Sequence, residues 1–311
     1  MRLGSSPRSW RGHLQICRFD HWVKNVFVLP GIALALILGD APFDPLVIAA
    51  GLLLVGVVAS SNYVLNELLD APTDRHHPTK CRRPVPSGRV SVPLAYVQWL
   101  VLGVVGIGGG YLLDASFAIV LAVLWLMGVI YNVPPVRSKD VPWLDVLSES
   151  VNNPLRFLAG WYLVLDGRPP PLSLLLAYWM VGCFFMDLKR YSEFRGIGDP
   201  ARAAAYRKSF RGYNEELLLI GAAFYSGIAM LFLGFFVARH RLELLLAFPA
   251  LALLMTMYMR LAFHQDSAVA APEMLWRQGK LMLAGGTTAV LMLFLLLVDL
   301  PWLHTAFPGP R

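Results

Sequence analysis

The sequence predicts an all-α, polytopic membrane protein with about nine transmembrane helices. Of its 311 residues, 57% are hydrophobic and only 15% are charged, and the mean hydropathy is +0.56. Soluble domains carry about 25% charged residues, so the chain is too apolar for that class. Apolar runs of about 20 residues recur along it, which is the length that a helix needs to cross a bilayer.

The apolar runs divide the chain into an arm, a membrane domain and a tail. Residues 1–21 are expected to form an N-terminal arm without the apolar core of a signal peptide, and 301–311 a C-terminal tail. Residues 22–300 are predicted to form a single transmembrane domain of two similar halves, about 22–139 and 140–300. The predicted helices are 22–39, 46–70, 92–113, 116–133, 141–165, 171–190, 214–238, 242–263 and 279–299.

Basic residues are distributed unevenly among the predicted loops. Most of the 27 Lys and Arg lie in the N-terminal arm and in the loops that follow helices two, four, six and eight. The positive-inside rule therefore predicts a multi-pass protein of the cell (inner or plasma) membrane whose N-terminus and basic loops are cytoplasmic. Only four basic residues are assigned to the opposite side: Arg168, Arg239, Arg241 and Arg311.

Three features exclude other classes of protein. The net charge of +7 follows the loops, which is typical of membrane topology and lipid contact, so we expect no nucleic-acid partner. The scattered cysteines Cys17, Cys81 and Cys183 argue against a disulfide framework and a zinc site. The glycine run Gly103–Gly110 lies inside an apolar span without a preceding strand, so it is not a phosphate-binding loop.

The second predicted helix ends in a row of polar side chains: Asn66, Glu67, Asp70 and Asp74. Carboxylates in a bilayer are unfavourable, by about 2.5–3.5 kcal/mol each at its centre, so they indicate a function. Pro72 predicts a helix end or kink near Asp70, which leaves Asp74 in the loop, able to fold back toward the same ion. A few hard oxygen ligands completed by water and phosphate are typical of Mg²⁺. The alternative is an acidic helix end paired with nearby arginines.

A second polar cluster ends the sixth predicted helix, in the segment MDLKRYSEFRGIGD. Because it falls at the cytoplasmic end of its helix, as the first cluster does, the charged ends of the two halves are expected to face each other. Opposed carboxylates can each hold a metal, and Lys or Arg can neutralise phosphate oxygens between them. The alternative is an ordinary basic helix end. The cluster comprises Asp187, Lys189, Arg190, Tyr191, Glu193 and Arg195.

The fifth predicted helix also carries charge within its span. Glu149, Asn153 and Arg156 fall on one face, and charges at that depth must face the protein interior and be paired. A structural Glu149–Arg156 pair and contact with a substrate both fit this pattern. The preceding loop, YNVPPVRSKDVP, brings Tyr131, Asn132, Arg137 and Lys139 to the side of the two polar clusters.

These motifs resemble a known family. The row Asn66-x-x-x-Asp70-x-x-x-Asp74 after a second apolar span resembles the first aspartate motif of the UbiA-type intramembrane prenyltransferases, and the likeness covers most of the chain. Glu67 departs from the usual Asp, while Asp187 and the loop YNVPPVRSK are more similar to true prenyltransferases. Five stretches are most similar to the decaprenyl-phosphate phosphoribosyltransferase branch: HWVKN at His21–Asn25, DRHHPTKCRRP at Asp74–Pro84, LRFLAG at Leu155–Gly160, KRYSE at Lys189–Glu193 and YRKS at Tyr206–Ser209.

The resemblance implies a UbiA-like helical fold with a cytoplasmic polar site and a Mg²⁺-dependent transfer from a diphosphate donor to a lipid acceptor. The transfer most similar in motif moves phosphoribosyl from phosphoribosyl diphosphate to polyprenyl phosphate, a precursor of cell-wall lipid. The implied metal ligands are Asn66, Glu67, Asp70, Asp74 and Asp187, and the implied catalytic residues are Asp70, Asp74, Asp187 and Glu193. The implied substrate-binding residues are Lys24, Arg75, Lys80, Arg83, Tyr131, Lys139, Arg156, Lys189, Arg190 and Tyr191.

Two alternative functions stay open from the sequence. A prenyltransferase would use the same acidic row on an isoprenoid diphosphate and an aromatic or lipid acceptor. A cation-coupled transporter would instead depend on the intramembrane residues Glu149 and Arg156. The expected partners are the donor, the polyprenyl lipid and the bilayer, and the sequence leaves homo-oligomerisation open.

Overall fold

The computed structural model of the chain describes residues 9–39, 42–75, 80–264 and 267–307. These residues form helices and connecting turns, with no β-strand among them. They divide into two compact units. Unit one comprises the residues up to Lys139 together with Leu155–Arg168, and unit two comprises Asp140–Pro154 and the residues from Pro169 onward. The division into two similar sequence halves stays a prediction; in the structure, 155–168 belongs with unit one.

The helices of unit one begin at acidic N-caps where the sequence places Asp before an apolar run. The Asp44 carboxylate accepts from the backbone N–H of Leu46 at 2.9 Å, and that of Asp114 accepts from Phe117 at 2.6 Å, which satisfies donors that a helix start leaves unpaired. The α-helices are α1 (Trp10–Gln15), α2 (Leu29–Gly39), α3 (Pro45–Asp74), α4 (Val92–Leu113) and α5 (Ala115–Asn132), and the 3₁₀ helices are Phe19–Val28 and Lys80–Arg82.

Unit two is built around two long helices that pack along each other and share an apolar core. That core includes Phe184, Leu188, Leu218 and Ala222, all buried. Its helices are α6 (Leu144–Ser150), α7 (Asn152–Tyr162, which ends in unit one), α8 (Leu172–Ile197), α9 (Pro200–Tyr206), α10 (Glu215–His240), α11 (Phe248–Ala262), α12 (Gly279–Leu297) and α13 (Pro301–Ala306), with 3₁₀ helices at Ser138–Asp140, Lys208–Gly212, Leu242–Ala247 and Pro272–Arg277. The long pair is α8 and α10.

Eight segments within the described residues are long and apolar enough to cross a membrane. The predicted fifth span, 141–165, differs from the structure, because it is broken into α6 and α7 at Val151. Pro154 accounts for the break, since it has no N–H to donate to the carbonyl of Ser150. The first span also differs, in that the 3₁₀ helix Phe19–Val28 precedes the shorter α2.

Helix α3 continues through Pro72 to Asp74, so the predicted helix end near Asp70 is wrong. Pro72 removes one helical hydrogen bond, yet the next turn closes with the N–H of Arg75 donating to the carbonyl of Ala71 at 3.1 Å. The Asp74 side chain is held by Arg83 at 2.7 Å, which stabilises this last turn. Asp74 is therefore a helical residue and does not lie in the loop.

Two glycines let helices α2 and α7 approach closely within unit one. A Cβ at Gly31 would collide with the backbone carbonyl oxygen of Phe157, and a Cβ at Gly160 would collide with that of Val28. Both obstacles are backbone atoms, which cannot move without shifting a helix. Small residues at such crossings are what membrane helices use for close packing.

We predict that Gly31→Ala destabilises the protein by about 1–3 kcal/mol, because the added methyl overpacks the α2–α7 contact. Thermal unfolding of the detergent-purified protein measures the effect. Gly108→Ala on α4 is the matched control, since nothing lies within 4 Å of its Cβ position. Equal melting temperatures for the two variants would contradict the assignment of Gly31 to a close helix contact.

Candidate active site

The first polar cluster gathers around the ammonium of Lys139 in unit one. Lys139 Nζ donates to Asn66 Oδ1 at 3.1 Å, to Asp70 Oδ1 at 2.5 Å and to Asn132 Oδ1 at 2.7 Å. Arg137 adds a second cation on Asp70, with its Nη2 at 3.0 Å from the same Oδ1. We call these five residues the Lys139 cluster.

The Lys139 cluster is positioned by the end of α5 and the turn that follows it. Asn132 is the last residue of α5, and its amide nitrogen donates to the Gly128 carbonyl at 2.9 Å, which directs its oxygen toward Lys139. Arg137 has a φ of 31°, a left-handed conformation that is unfavourable for a side chain of this size. Lys139 is buried, at 7% exposure, whereas the Asp70 side chain is 24% exposed. The cluster is therefore preorganised and open on the Asp70 side.

The predicted ligand row of α3 divides between two helix faces. Each four-residue step along an α-helix overshoots a full turn by about 40°, so Asp74 lies about 80° round from Asn66 and close to the face of Glu67. Glu67 Oε1 accepts from the N–H of Val85 at 3.0 Å, and Asp74 pairs with Arg83 at 2.7 Å. Asn66 and Asp70 thus meet Lys139, whereas Glu67 and Asp74 hold the loop after α3.

In unit two, a group of polar side chains surrounds the fully buried carboxylate of Asp145. Its Oδ2 accepts from Arg190 Nε at 2.8 Å and from the hydroxyl of Ser209 at 3.1 Å, and its Oδ1 accepts from the hydroxyl of Tyr213 at 2.6 Å. Arg190 also donates to Glu193 at 3.1 Å. We call these five residues the Asp145 cluster. A buried charge is stable when it is paired and hydrogen-bonded in this way.

Tyr213 links the Asp145 cluster to the backbone before α6. Its hydroxyl donates to Asp145 and accepts from the N–H of Trp143 at 2.5 Å, where Trp143 has a left-handed φ of 67°. Burial raises the pKa of Tyr213, and the neighbouring Asp145 carboxylate raises that pKa further. Tyr213 therefore stays protonated and donates at all physiological pH values.

Asp187 stands apart from the other acid of its helix. Both of its carboxylate oxygens are buried, and neither has a hydrogen-bond partner of ordinary geometry among the described residues. Gly221 on α10 allows this placement, since a Cβ there would lie 2.8 Å from Asp187 Oδ2. Glu193 lies about 240° further round α8, so the structure does not bring the two acids together. An unpartnered buried carboxylate is unfavourable and indicates a chemical role.

The remaining predicted substrate-binding residues lie in several environments. Tyr131 places its ring 5.8 Å from Lys139 Nζ, and Lys189 lies 3.9 Å from Glu193. The hydroxyl of Tyr191 accepts from Arg195 at 2.6 Å, in a buried position against Phe263. Of the others, Arg156 is buried on α7, Lys24 and Lys80 are half-buried in 3₁₀ helices, and Arg75 is exposed at the end of α3. Positions 76–79 of the HHPTK motif lie outside the described residues.

Hard oxygen ligands make the Lys139 cluster a fitting site for Mg²⁺. Its carboxylate and two amide oxygens converge on one cation within 3.1 Å, and Mg²⁺ prefers such ligands together with water and phosphate. The unpartnered oxygens of Asp187 offer a further hard donor in unit two. Glu67 and Asp74 fit less well, because each is already engaged by the loop after α3.

One central residue, Asp145, was not predicted, and Asn132 was predicted only as a residue of the loop YNVPPVRSKDVP. Asn132 meets Asn66 at the ammonium of Lys139, and Asp145 contacts Arg190, which is far from it in sequence, so the spacing of acidic residues marks neither of them. The signal for Asp145 was the stretch YRKS at Tyr206–Ser209, which supplies Ser209 to it. That stretch marks a buried network that the spacing of acidic residues does not reveal.

The described residues define a multi-pass, helical membrane protein that carries two clusters of charged and polar side chains. Residues 27–284 match the UbiA prenyltransferase family, and the chain belongs to that family. It is a UbiA-family transferase, a prenyltransferase-type membrane enzyme.

Known relatives and structures are similar over much of the chain. It is 31% identical over 212 residues to decaprenyl-phosphate phosphoribosyltransferase of Mycobacterium tuberculosis, covering 67% of each chain. It is 30% identical over 199 residues to lycopene elongase/hydratase of Haloarcula japonica, covering 61% of this chain and 62% of that one. A UbiA homolog from Archaeoglobus fulgidus, solved with GPP and Mg²⁺ bound, has a similar fold, with a TM-score of 0.68 and 19% identity over 90% of this chain and 99% of that one.

We predict that Glu67→Ala lowers the free energy of unfolding by about 1–3 kcal/mol, because it leaves the buried N–H of Val85 without an acceptor. Glu67→Gln keeps an acceptor oxygen and is expected to retain most of the stability. Thermal unfolding in detergent measures both variants. A loss as large for Gln as for Ala would show that the charge of Glu67 matters and the hydrogen bond to Val85 does not.

We predict that Asp145→Ala destabilises unit two by about 3–5 kcal/mol, because it leaves the buried Arg190 guanidinium without its main counterion. Glu215→Ala is the matched control, since Glu215 pairs at 3.9 Å with Arg195 and both side chains are exposed, at 49% and 44%. Such an exposed ion pair contributes little to stability. Chemical unfolding followed by tryptophan fluorescence compares the variants, and equal losses would refute a structural role for the Asp145 cluster.

Proposed function

We propose that this protein transfers phosphoribosyl from phosphoribosyl diphosphate to a polyprenyl phosphate. The observation that carries the proposal is the likeness to decaprenyl-phosphate phosphoribosyltransferase, at 31% identity over 67% of the chain. Two of the motifs that resemble that branch lie at the Asp145 cluster: KRYSE supplies Arg190 and Glu193, and YRKS supplies Ser209.

The Lys139 cluster is suited to hold the diphosphate of the donor. Asn66 and Asp70 would hold Mg²⁺, which when bound supplies positive charge for the leaving diphosphate. Arg137 would donate to the phosphate oxygens, since its guanidinium presents several donors in a fixed plane. Tyr131, whose ring lies 5.8 Å from Lys139 Nζ, forms an adjacent wall.

The reaction exchanges one oxygen for another at ribose C1. The bond from C1 to the diphosphate oxygen breaks, with the electron pair leaving on the diphosphate, and a polyprenyl-phosphate oxygen forms the new bond. Since that oxygen is already anionic, the protein needs no strong general base. Its residues instead orient the two phosphates and stabilise the charge that develops on the leaving group.

Unit two carries a second set of charged groups that suit a phosphorylated substrate. Lys189 and Arg190, on α8, would neutralise phosphate oxygens, with Glu193 keeping both in place. The buried carboxylate of Asp187 would hold a Mg²⁺ ion or a hydroxyl group. We further propose that these groups face the cytoplasm of the cell membrane, as the distribution of Lys and Arg predicts.

Prenyl transfer from an isoprenoid diphosphate is the second candidate. It is favoured by the 30% identity to lycopene elongase/hydratase and by the fold of a homolog solved with GPP and Mg²⁺. Both candidates use Asn66 and Asp70 alike, and they differ in which substrate carries the lipid chain. Membership of a transferase family supports either of them over cation-coupled transport.

The deciding experiment is an assay of the full chain in nanodiscs with Mg²⁺, radiolabelled phosphoribosyl diphosphate and polyprenyl phosphate. We expect label to enter the organic phase as a ribosyl lipid. A parallel reaction contains geranylgeranyl diphosphate and a lipid acceptor. Turnover of the isoprenoid diphosphate without any ribosyl lipid would overturn the proposal in favour of prenyl transfer.

We predict that Asp70→Asn lowers the rate of ribosyl transfer by about 100-fold or more, because it weakens the metal and charge arrangement at the leaving group. Glu216→Gln is the control, since Glu216 is exposed in the first turn of α10. Wild-type rates in Asp70→Asn, at matched folding, would rule out the Lys139 cluster as the diphosphate site.

A further inference from the structure

Three oxygens of unit one enclose a single ammonium group. Asn66 Oδ1, Asp70 Oδ1 and Asn132 Oδ1 lie 3.1, 2.5 and 2.7 Å from Lys139 Nζ. A lysine ammonium has three donors and no acceptor, and it donates to each of these three oxygens. We call the three oxygens the cation cup.

The cation cup has the composition of a divalent-metal site. It offers one carboxylate and two amide oxygens, and a Mg²⁺ ion would take such oxygens at about 2.0–2.1 Å, with water or phosphate in the remaining positions. Because an ammonium and a divalent ion at the same oxygens would repel each other strongly, the cup can hold only one of them at a time.

We propose that Lys139 and Mg²⁺ compete for the cation cup, with Asn132 as the third protein ligand of the metal. Entry of the metal then releases the ammonium of Lys139, which becomes a donor to the phosphate oxygens of the substrate. This inference rests on the proposed function for the identity of the diphosphate, and it adds a ligand and an order of events to that site.

Asn132 is held in the orientation that this role requires. Its amide nitrogen donates to the Gly128 carbonyl, and its side chain is buried at 3% exposure. The main-chain carbonyl of Asn132 accepts from Arg137 at 3.1 Å, so the arginine and the asparagine are fixed together. Arg137 also donates to Asp70 Oδ1, at 3.0 Å, which makes it a second cation beside the cup.

The exchange predicts effects of opposite sign on metal and substrate. Without the Lys139 ammonium, the cup should bind metal more tightly and the diphosphate more weakly. If Lys139 served only as a phosphate contact, its removal would weaken diphosphate binding. Metal affinity would then change only through the loss of one positive charge. The variant Arg137→Met measures the effect of that general change in charge, because it also deletes one positive charge near Asp70.

The first experiment measures Mn²⁺ binding by electron paramagnetic resonance on the full chain in nanodiscs, without donor. We expect Lys139→Met to tighten Mn²⁺ binding by about tenfold or more, and Arg137→Met by no more than about threefold. Inorganic diphosphate, added afterwards in the presence of Mn²⁺, should bind Lys139→Met more weakly than wild type. Equal tightening in the two variants, or none in Lys139→Met, would overturn the competition.

The second experiment tests Asn132. If Asn132 is a metal ligand, Asn132→Ala should weaken Mn²⁺ binding by about tenfold, because one ligand oxygen is lost. If Asn132 serves only to hold Lys139, the same change should loosen the lysine and strengthen Mn²⁺ binding. Asn132→Asp, which keeps the oxygen, should bind Mn²⁺ at least as tightly as wild type, and its failure to do so would overturn the assignment of Asn132.

A measurement on the wild-type protein avoids any variant that fails to fold. Lysines are amidinated with methyl acetimidate with and without Mg²⁺, and the labelled sites are quantified by mass spectrometry. We expect Mg²⁺ to raise labelling of Lys139 several-fold relative to the exposed Lys280. Unchanged labelling of Lys139 at saturating metal would overturn the exchange. None of these binding measurements uses phosphoribosyl diphosphate, so their failure is distinguishable from failure of the proposed transfer.

Discussion

The contact between Lys139 and Asp70 is the interaction on which the functional part of unit one depends. At 2.5 Å it joins the end of α3 to the turn after α5, and the same ammonium draws in Asn66 and Asn132. An isolated carboxylate at the end of a membrane helix would be unfavourable, so this partner makes the acidic row tolerable. The charge that stabilises Asp70 also determines what else Asp70 can bind.

The fold class and the family could be predicted from the sequence with good detail. Apolar runs are long, so the existence of the helices was clear, whereas their interruptions depend on single residues. Pro154 breaks the predicted fifth span, while Pro72 leaves α3 intact because Asp74 is anchored by Arg83. The steric preference of a proline is the same in both places, and tertiary contacts decide whether the helix continues.

The members of the candidate site were only partly predictable. Spacing along one helix correctly placed Asn66 and Asp70 on one face, but it grouped Glu67 and Asp74 with them, although both contact the loop that follows. Asp145 was missed because its partners are distant in sequence and are reached through tertiary structure. In unit two, the motif residue Arg190 depends on Asp145, which no motif marks.

The division of α3 into two faces accounts for the departure at position 67. Glu67 reaches the N–H of Val85, and the shorter Asp, usual at this position in the family it resembles, would end about one carbon–carbon bond, roughly 1.5 Å, further away. The identity of residue 67 should therefore vary among relatives with the length and path of the loop that follows α3. The chemistry at residues 66 and 70 would be inherited separately, since it faces a different neighbour. Exchange of that loop between relatives would consequently have to carry residue 67 with it.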